Sequence, residues 1–314
     1  MSSILVTRRL PSSVLSKLEA VGSVDLFTGE GSIPADELRS RASGKDAIVS
    51  MLTEQIDRGV LDAGDRLKIV ANVAVGYNNI DVPYARSRGV VVTNTPDVLT
   101  ESVADFTWAL ILAITRRLSE GERVIRRNAW KGWAFDYMLG TELRGKQLGL
   151  VGFGRIGRTV AARVGAFGMT VAYSSRSAVK VNGAEQQPLD RLLVTSDVIS
   201  LHVPLTDETR HLIDKRAFTR MKRSAYLINT SRGPVVDEEA LAWALGERLI
   251  AGAALDVYEH EPRVNPKLLS FENILLVPHL GSGTTETRTA MADLAIRNVV
   301  EVLSGRPPLT PVVP

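Results

Sequence analysis

The chain has 314 residues, of which 45% are hydrophobic and 23% are charged, so it has an ordinary globular composition and enough length for two domains. Its 38 basic and 35 acidic residues leave a formal charge of only +3, which is too small an excess to indicate binding to nucleic acid or to a membrane. The absence of cysteine excludes disulfides, thiolate metal sites and a cysteine nucleophile, and no metal site is expected. A cytoplasmic location is expected, because no apolar run has the length of a secretion signal or a membrane span.

Short apolar runs alternate with helix-like segments in the first third of the chain. The helix-like segments have apolar residues at helical spacing and polar residues at their ends. Five runs are predicted to be strands: ILVT (4–7), VDLF (24–27), AIVSML (47–52), KIVANVAV (68–75) and VVVTN (90–94).

A second series of strand-like runs begins after residue 146, and a long helical candidate over 101–130 separates it from the first. A final helix is predicted over 284–305, followed by a proline-rich segment that cannot continue it. Apolar strands that alternate with helices indicate parallel sheets covered on both faces, so the two series predict two α/β domains with the active cleft between them. The strands of the second series are QLGLVGF, MTVAYS, VISLHV, AYLINTS, IAGAALDV and ILLVP.

The segment GFGRIG (152–157) fits the phosphate-binding pattern G-x-G-x-x-G between a predicted strand and a predicted helix. Gly152 permits a tight turn, Gly154 lets the backbone approach a pyrophosphate, and Gly157 allows the helix to pack closely on the strand. Arg155 and Ile156 lie between them at the start of the helix, where free N–H groups favour an anion. The pattern predicts dinucleotide binding.

The second strand of this unit ends in Ser174, Ser175 and Arg176, where many NAD-binding proteins have an acidic residue that binds the adenosine ribose. A carboxylate there would repel a 2′-phosphate, whereas serine hydroxyls and a guanidinium supply donors for one. The alternative is that Arg176 only ends a strand in water. The pattern favours NADP over NAD, with NAD bound more weakly.

Three polar residues follow successive strands of the second series: Arg232, Glu261 and His279. The carboxyl ends of parallel strands meet at one edge of a sheet, so these side chains can converge. Arg232 would bind a carboxylate and polarise an adjacent carbonyl, His279 would donate a proton to that carbonyl, and Glu261 would hold the imidazole. Each residue alone also has a purely structural explanation. The arginine could support a turn, the glutamate could simply be exposed at the surface, and the histidine could bind a local carbonyl.

The motifs together resemble the D-isomer-specific 2-hydroxyacid dehydrogenases over nearly the whole chain. Within that family the sequence is most similar to glyoxylate/hydroxypyruvate reductases, on account of VAVGYNNIDV, AWKGWAFDYMLGTEL and the Ser/Arg end of the second strand. The motifs in family order are VGFGRIG, SLHVPLTDETRHLID, LINTSRGPVVDEEAL, GAALDVYEHEP and VPHLGSGT.

The resemblance implies a role for each matching residue. Arg232, Glu261 and His279 would be the substrate arginine, the supporting glutamate and the acid/base histidine. Val75 and Gly76 would offer backbone N–H groups to the substrate carboxylate, and Asp256 would hold the nicotinamide carboxamide. The remaining cofactor-lining residues would be Val203, Pro204, Thr209, Thr230, Ser231 and Gly281.

The resemblance also implies an architecture. A flavodoxin-like substrate domain would consist of 1–98 and 284–314, with a Rossmann dinucleotide-binding domain inserted at 99–283; both would be doubly wound parallel sheets. Family members are usually homodimers joined through the nucleotide domains, with the helix near 101–127 at the interface. Trp133 would either reach the partner's active site or only anchor the interface.

The activity that this resemblance predicts is NADPH-dependent reduction of glyoxylate to glycolate and of hydroxypyruvate to D-glycerate. A reductase of bulkier 2-keto acids and a phosphoglycerate dehydrogenase-like enzyme remain as alternatives. A binding protein gated by a dinucleotide, without catalysis, is a further alternative, against which the intact Arg232, Glu261 and His279 set weighs.

Overall fold

The computed structural model describes residues 1–177, 179 and 181–312. The chain forms two compact units. The first contains Met1–Leu99 together with the residues from Gly283 onward, and the second contains Thr100–Ser282.

The first unit is built on a parallel sheet of five strands. Its elements are β1 (Ser2–Val6), α1 (Ser12–Glu19), β2 (Gly22–Leu26), α2 (Ala35–Ala42), β3 (Ala47–Ser50), α3 (Arg58–Ala63), β4 (Ile69–Asn72), α4 (Val82–Ser87) and β5 (Val91–Thr93). The strand order is β2-β1-β3-β4-β5, which is the flavodoxin-like order. Every residue of β3 and β4 is buried, as expected for central strands of a sheet covered on both faces.

The last part of the chain completes the first unit. The helix Thr285–Leu303 is capped at its N-terminus by Thr284, whose hydroxyl accepts a hydrogen bond from the N–H of Thr287. The segment after it returns alongside β5, where the N–H of Val312 donates to the carbonyl of Val92 at 2.8 Å.

The second unit is built on a parallel sheet of seven strands. Its elements are α5 (Thr100–Thr115), α6 (Leu118–Arg126), β6 (Gln147–Val151), α7 (Arg155–Ala162), β7 (Thr170–Ser174), β8 (Ala184–Gln186), α8 (Leu189–Thr195), β9 (Val198–Leu201), α9 (Lys215–Arg220), β10 (Tyr226–Asn229), α10 (Glu238–Gly246), β11 (Gly252–Leu255) and β12 (Ile274–Leu276). The order β12-β11-β10-β9-β6-β7-β8 is the Rossmann order with one strand added. The prediction of two parallel α/β sheets is confirmed.

Some element boundaries differ from the prediction. The helix expected over 101–130 is two helices, because Arg117 adopts a left-handed conformation (φ 55°) between them and its guanidinium binds Glu120. The run KIVANVAV is only half strand, since the chain leaves the sheet after Asn72. The strand β8 was missed because its sequence, AEQ, is short and largely polar. Within the described residues, no helix combines the length and the apolarity that crossing a bilayer requires.

Candidate active site

The sheet of the second unit brings the predicted catalytic residues to one edge. The strands β10, β11 and β12 are parallel neighbours, and they end at Asn229, Leu255 and Leu276. Arg232 follows the first of these ends, Asp256 and Glu261 follow the second, and His279 follows the third.

Glu261 and His279 form a hydrogen-bonded pair. The Nδ1 atom of His279 lies 2.9 Å from Oε2 of Glu261, and Oε1 of Glu261 accepts a hydrogen bond from the N–H of Tyr258 at 3.1 Å. Burial opposes ionisation of Glu261, but the bond from His279, its charge and the Tyr258 N–H together lower the pKa of the carboxyl. About a quarter of each side chain remains accessible, 27% for His279 and 28% for Glu261, so a ligand can reach the imidazole.

A buried carboxylate fixes the loop that carries His279. The backbone carbonyl of Asp256 accepts from the N–H of His279 at 2.9 Å, and its side-chain oxygens accept from Leu280 at 2.5 Å and from Gly281 at 2.8 Å. Burial raises the pKa of Asp256, although these two N–H groups oppose the shift. Gly281 is held from its other side by the hydroxyl of Ser102, which donates to its carbonyl at 2.9 Å. Sequence reasoning missed this anchoring role of Asp256.

Arg232 lies against the loop that carries Glu261. A side chain at Gly233 would place its Cβ 1.9 Å from the backbone of Tyr258, so only glycine allows the two loops to pack this closely. The carbonyl of Arg232 accepts from the side chain of Asn229 at 3.0 Å. Burial lowers the pKa of the Arg232 guanidinium, and the negative charge of Glu261 opposes that shift. Glu261 therefore interacts with both His279 and Arg232.

The glycine loop has the close contacts that dinucleotide binding requires. Gly152 has a φ of 95°, and a Cβ there would lie 2.5 Å from the carbonyl of His202; a Cβ at Gly157 would lie 2.5 Å from the carbonyl of Gly152. Around Gly154, by contrast, no described atom beyond its chain neighbours lies within 4 Å of where a Cβ would be, so the backbone is open to a ligand at the start of α7. Arg155 and Ile156 form the first turn of that helix. These residues fit a pyrophosphate.

The end of β7 presents a positive charge. The carbonyl of Ser174 accepts from the N–H of Gly152 at 2.8 Å, which ties the strand end to the phosphate loop. The hydroxyl of Ser175 donates to the carbonyl of Ser177 at 2.5 Å, and Arg176 is exposed at the turn between them. A hydrogen bond from Thr206 lowers the pKa of Glu208, and the charge of Arg176 contributes to that shift.

The other predicted cofactor residues lie after β9 and β10. The hydroxyl of Thr209 donates to the carbonyl of Pro204 at 2.7 Å, which closes the loop that follows Val203. Thr230 is 3.1 Å from Thr107, measured between their hydroxyl oxygens, and Ser231 donates to Asn229 at 2.8 Å. At the end of β9, Nε2 of His202 lies 2.9 Å from the hydroxyl of Ser200, and burial lowers the pKa of His202 to about 4, so its ring is neutral near pH 7.

The remaining predicted residues lie outside this sheet edge. Val75 and Gly76 are half-buried in the loop after β4 of the first unit. Trp133 lies in the segment after α6, where its side chain is largely exposed (82%).

The second unit combines a Rossmann sheet and its phosphate loop with an arginine, a glutamate and a histidine at neighbouring strand ends. This combination defines a nicotinamide-dependent oxidoreductase. The sequence model of the NAD-binding domain of the D-isomer specific 2-hydroxyacid dehydrogenases matches residues 108–281. The chain belongs to this family of enzymes and binds a nicotinamide dinucleotide.

Similar proteins cover the whole chain. Glyoxylate reductase of Thermococcus kodakarensis is 46% identical over 315 residues, which include 98% of this chain and 95% of that protein. A crystal structure of a Thermus thermophilus protein is 42% identical, with a TM-score of 0.94 and coverage of 99% of this chain and 100% of that one. The NADPH-dependent glyoxylate/hydroxypyruvate reductase of Sinorhizobium meliloti, solved with NADP and malonate, is 37% identical, with a TM-score of 0.90 and coverage of 99% and 97%.

Proposed function

We propose that this enzyme reduces glyoxylate to glycolate and hydroxypyruvate to D-glycerate with NADPH. The observation that carries the proposal is the bond between Glu261 and His279, with the half-buried guanidinium of Arg232 in electrostatic contact with Glu261. The Thermococcus protein, by name a glyoxylate reductase, supports the first substrate, and the Sinorhizobium protein, by name a glyoxylate/hydroxypyruvate reductase, supports both. The cytoplasmic location stays a prediction.

The site residues have distinct chemical roles in this proposal. Arg232 binds the substrate carboxylate through its planar fork and polarises the keto oxygen. Because Nδ1 of His279 is held by Glu261, Nε2 is the atom that donates a proton to that oxygen. A bound nicotinamide cofactor supplies the hydride that forms the new C–H bond at the carbonyl carbon. The two π electrons of the carbonyl then form the new O–H bond with the proton from His279, which gives the 2-hydroxy acid.

The preference for NADPH rests on the end of β7. Ser174 and Ser175 carry no charge, and the exposed guanidinium of Arg176 can bind a phosphate at two points. The nearby Glu208 is fully exposed, so water screens its charge. The S. meliloti protein, which was solved with NADP, supports the same preference.

We propose that the partner is a second copy of this chain, bound through the second unit. The helix α6 and the segment after it expose large apolar side chains that are unusual on a monomer surface. Burial of such side chains against an equivalent surface would stabilise a symmetric dimer. The exposed residues are Leu118, Ile125, Trp130, Trp133, Phe135, Tyr137 and Leu139.

A substrate panel tests the activity. With NADPH, glyoxylate and hydroxypyruvate are expected to give higher kcat/KM than pyruvate or phenylpyruvate. The variant Arg232→Ala is expected to lose at least about 100-fold in kcat/KM for glyoxylate and for hydroxypyruvate, because the guanidinium that binds the carboxylate is removed. Arg232→Lys keeps the charge without the fork and should recover only part of the loss. A preference for phenylpyruvate would support the reductase of bulkier acids, and binding of NADPH without consumption would support a binding protein.

The variant Arg176→Ala tests the cofactor preference. Loss of the guanidinium should raise KM for NADPH by about tenfold or more and leave KM for NADH nearly unchanged, because only NADPH carries the 2′-phosphate. Arg191→Ala removes another exposed arginine, from α8, and serves as the control. Equal effects of Arg176→Ala on both cofactors would refute its role as the phosphate ligand.

Sedimentation tests the dimer. The wild-type chain should sediment as a dimer, and the double variant Trp133→Ser/Phe135→Ser should raise the dimer dissociation constant by about 100-fold or more through lost apolar burial. Val194→Ser, at a half-exposed apolar residue of α8, is the control. A raised KM in Trp133→Ser at concentrations that keep it dimeric would indicate that Trp133 reaches the partner's active site, and an unchanged KM would indicate an interface anchor. A monomeric wild type would contradict the proposal.

A further inference from the structure

The loop after β4 has three consecutive carbonyls held by fixed donors of the first unit. The N–H of Thr95 donates to the carbonyl of Ala74 at 2.8 Å. The side chain of Asn94 donates to the carbonyl of Val75, and that of Asn72 donates to the carbonyl of Gly76, both at 2.8 Å. Asn72 is fully buried, and the hydroxyl of Ser50 lies 3.4 Å from its side-chain oxygen, an arrangement that leaves the amide nitrogen to face the loop.

These bonds also set the direction of the N–H groups. In a planar trans peptide, the carbonyl of one residue and the N–H of the next point in opposite directions. The bond to Ala74 therefore fixes the N–H of Val75, and the bond from Asn94 fixes the N–H of Gly76. Throughout residues 1–177, 179 and 181–312, no acceptor binds either of these two N–H groups. Two adjacent, oriented donors of this kind suit an anion.

The segment that holds these carbonyls is in turn held by the C-terminal segment. The N–H of Asn94 donates to the carbonyl of Thr310 at 3.3 Å, and the hydroxyl of Thr310 donates to the carbonyl of Asn94 at 2.6 Å. These residues are 216 positions apart in the chain. Residues 94 and 95 are thus fixed by contacts on both sides, with the loop on one side and Thr310 on the other.

Thr310 is fixed by a buried asparagine of the last helix, which we call α11 (Thr285–Leu303). The side-chain oxygen of Asn298 accepts from the N–H groups of Leu309 and Thr310 at 2.9 and 3.0 Å, and its nitrogen donates to the hydroxyl of Thr310 at 2.9 Å. Asn298 is fully buried, so water does not compete for these bonds.

We propose that Asn298, Thr310 and Asn94 form a polar relay that positions the N–H groups of Val75 and Gly76 to bind the carboxylate of the substrate. All three are positioning residues, since they act through the backbone of the loop. The inference rests on the proposed function and on the family resemblance, which implies that this amide pair is a ligand of the substrate carboxylate. It assigns to α11 and to the segment after it a part in substrate affinity.

The variant Thr310→Val tests the relay, because it keeps the shape of the side chain and removes the hydroxyl. KM for glyoxylate should rise by about five- to tenfold, while kcat and KM for NADPH should stay within about twofold, since carboxylate binding alone is weakened. Thr310→Ser restores the hydroxyl and should restore KM. A merely structural role would lower the unfolding temperature of Thr310→Val without changing KM.

A double-mutant cycle makes the test specific. Asn94→Ala should raise KM for glyoxylate by at least as much as Thr310→Val. It leaves the bonds between Asn298 and Thr310 in place, so it tests the relay even when Thr310→Val does not fold. In the Asn94→Ala background, Thr310→Val should raise KM by less than it does alone, because only the bond from Thr95 to Ala74 is left for it to disturb. Independent effects that multiply, or a KM for glyoxylate unchanged in both single variants, would overturn the relay.

Titration of the enzyme with oxalate in the presence of NADPH separates this inference from the proposed function. Absence of turnover by the wild-type enzyme would refute the proposed function alone. In that case the affinity for oxalate is the quantity to compare in place of KM. Weaker binding of oxalate to Thr310→Val than to Thr310→Ser would still support the relay. Equal oxalate affinity of these two variants, or no binding to the wild type, would overturn it.

Discussion

The hydrogen bond between Glu261 and His279 depends on a buried carboxylate that contacts neither atom of that bond. Asp256 holds the backbone at residues 279, 280 and 281, and so sets where the imidazole can lie. A buried carboxylate is costly unless it is hydrogen-bonded, and here two backbone N–H groups offset part of the cost, while burial still raises the pKa of Asp256. On the other side of the pair, the N–H of Tyr258 orients Glu261, and Gly233 lets Arg232 pack against the same loop.

The first unit uses a similar arrangement without a charge. Asn72 and Asn94 hold backbone carbonyls of the loop after β4, as Asp256 holds N–H groups of the loop after β12. In both units a polar side chain from a strand end fixes a loop at the edge of the sheet where ligands bind in parallel α/β folds. Fixed backbone groups suit ligand binding because little further ordering is needed when the ligand arrives.

Much of this architecture could be predicted from local sequence patterns. Apolar strand runs between helical segments predicted the two parallel sheets, and the glycine spacing marked the phosphate loop. Arg232, Glu261 and His279 could be selected because each follows a strand, and strand ends converge in such sheets. The break at Arg117 was not predictable, since an arginine has no intrinsic preference for the left-handed conformation that divides α5 from α6.

The contacts that fix the loops could not be predicted because they join distant parts of the chain. Thr310 and Asn94 are 216 residues apart, and Asp256 is 25 residues from Gly281. Nothing in the local sequence around Asn94 or Asn298 distinguishes a relay from an ordinary turn or helix surface. Only the sheet order, together with the return of the chain after α11, brings these side chains together.

The most direct test of this account is the first turnover of Glu261→Gln, measured by stopped flow with bound NADPH and saturating glyoxylate. Glutamine keeps the size of the side chain but loses the negative charge that the imidazole requires as its partner. The rate of NADPH oxidation is expected to fall by at least about tenfold, while NADPH affinity and the unfolding temperature stay close to those of the wild type. A first-turnover rate within twofold of the wild type would contradict it.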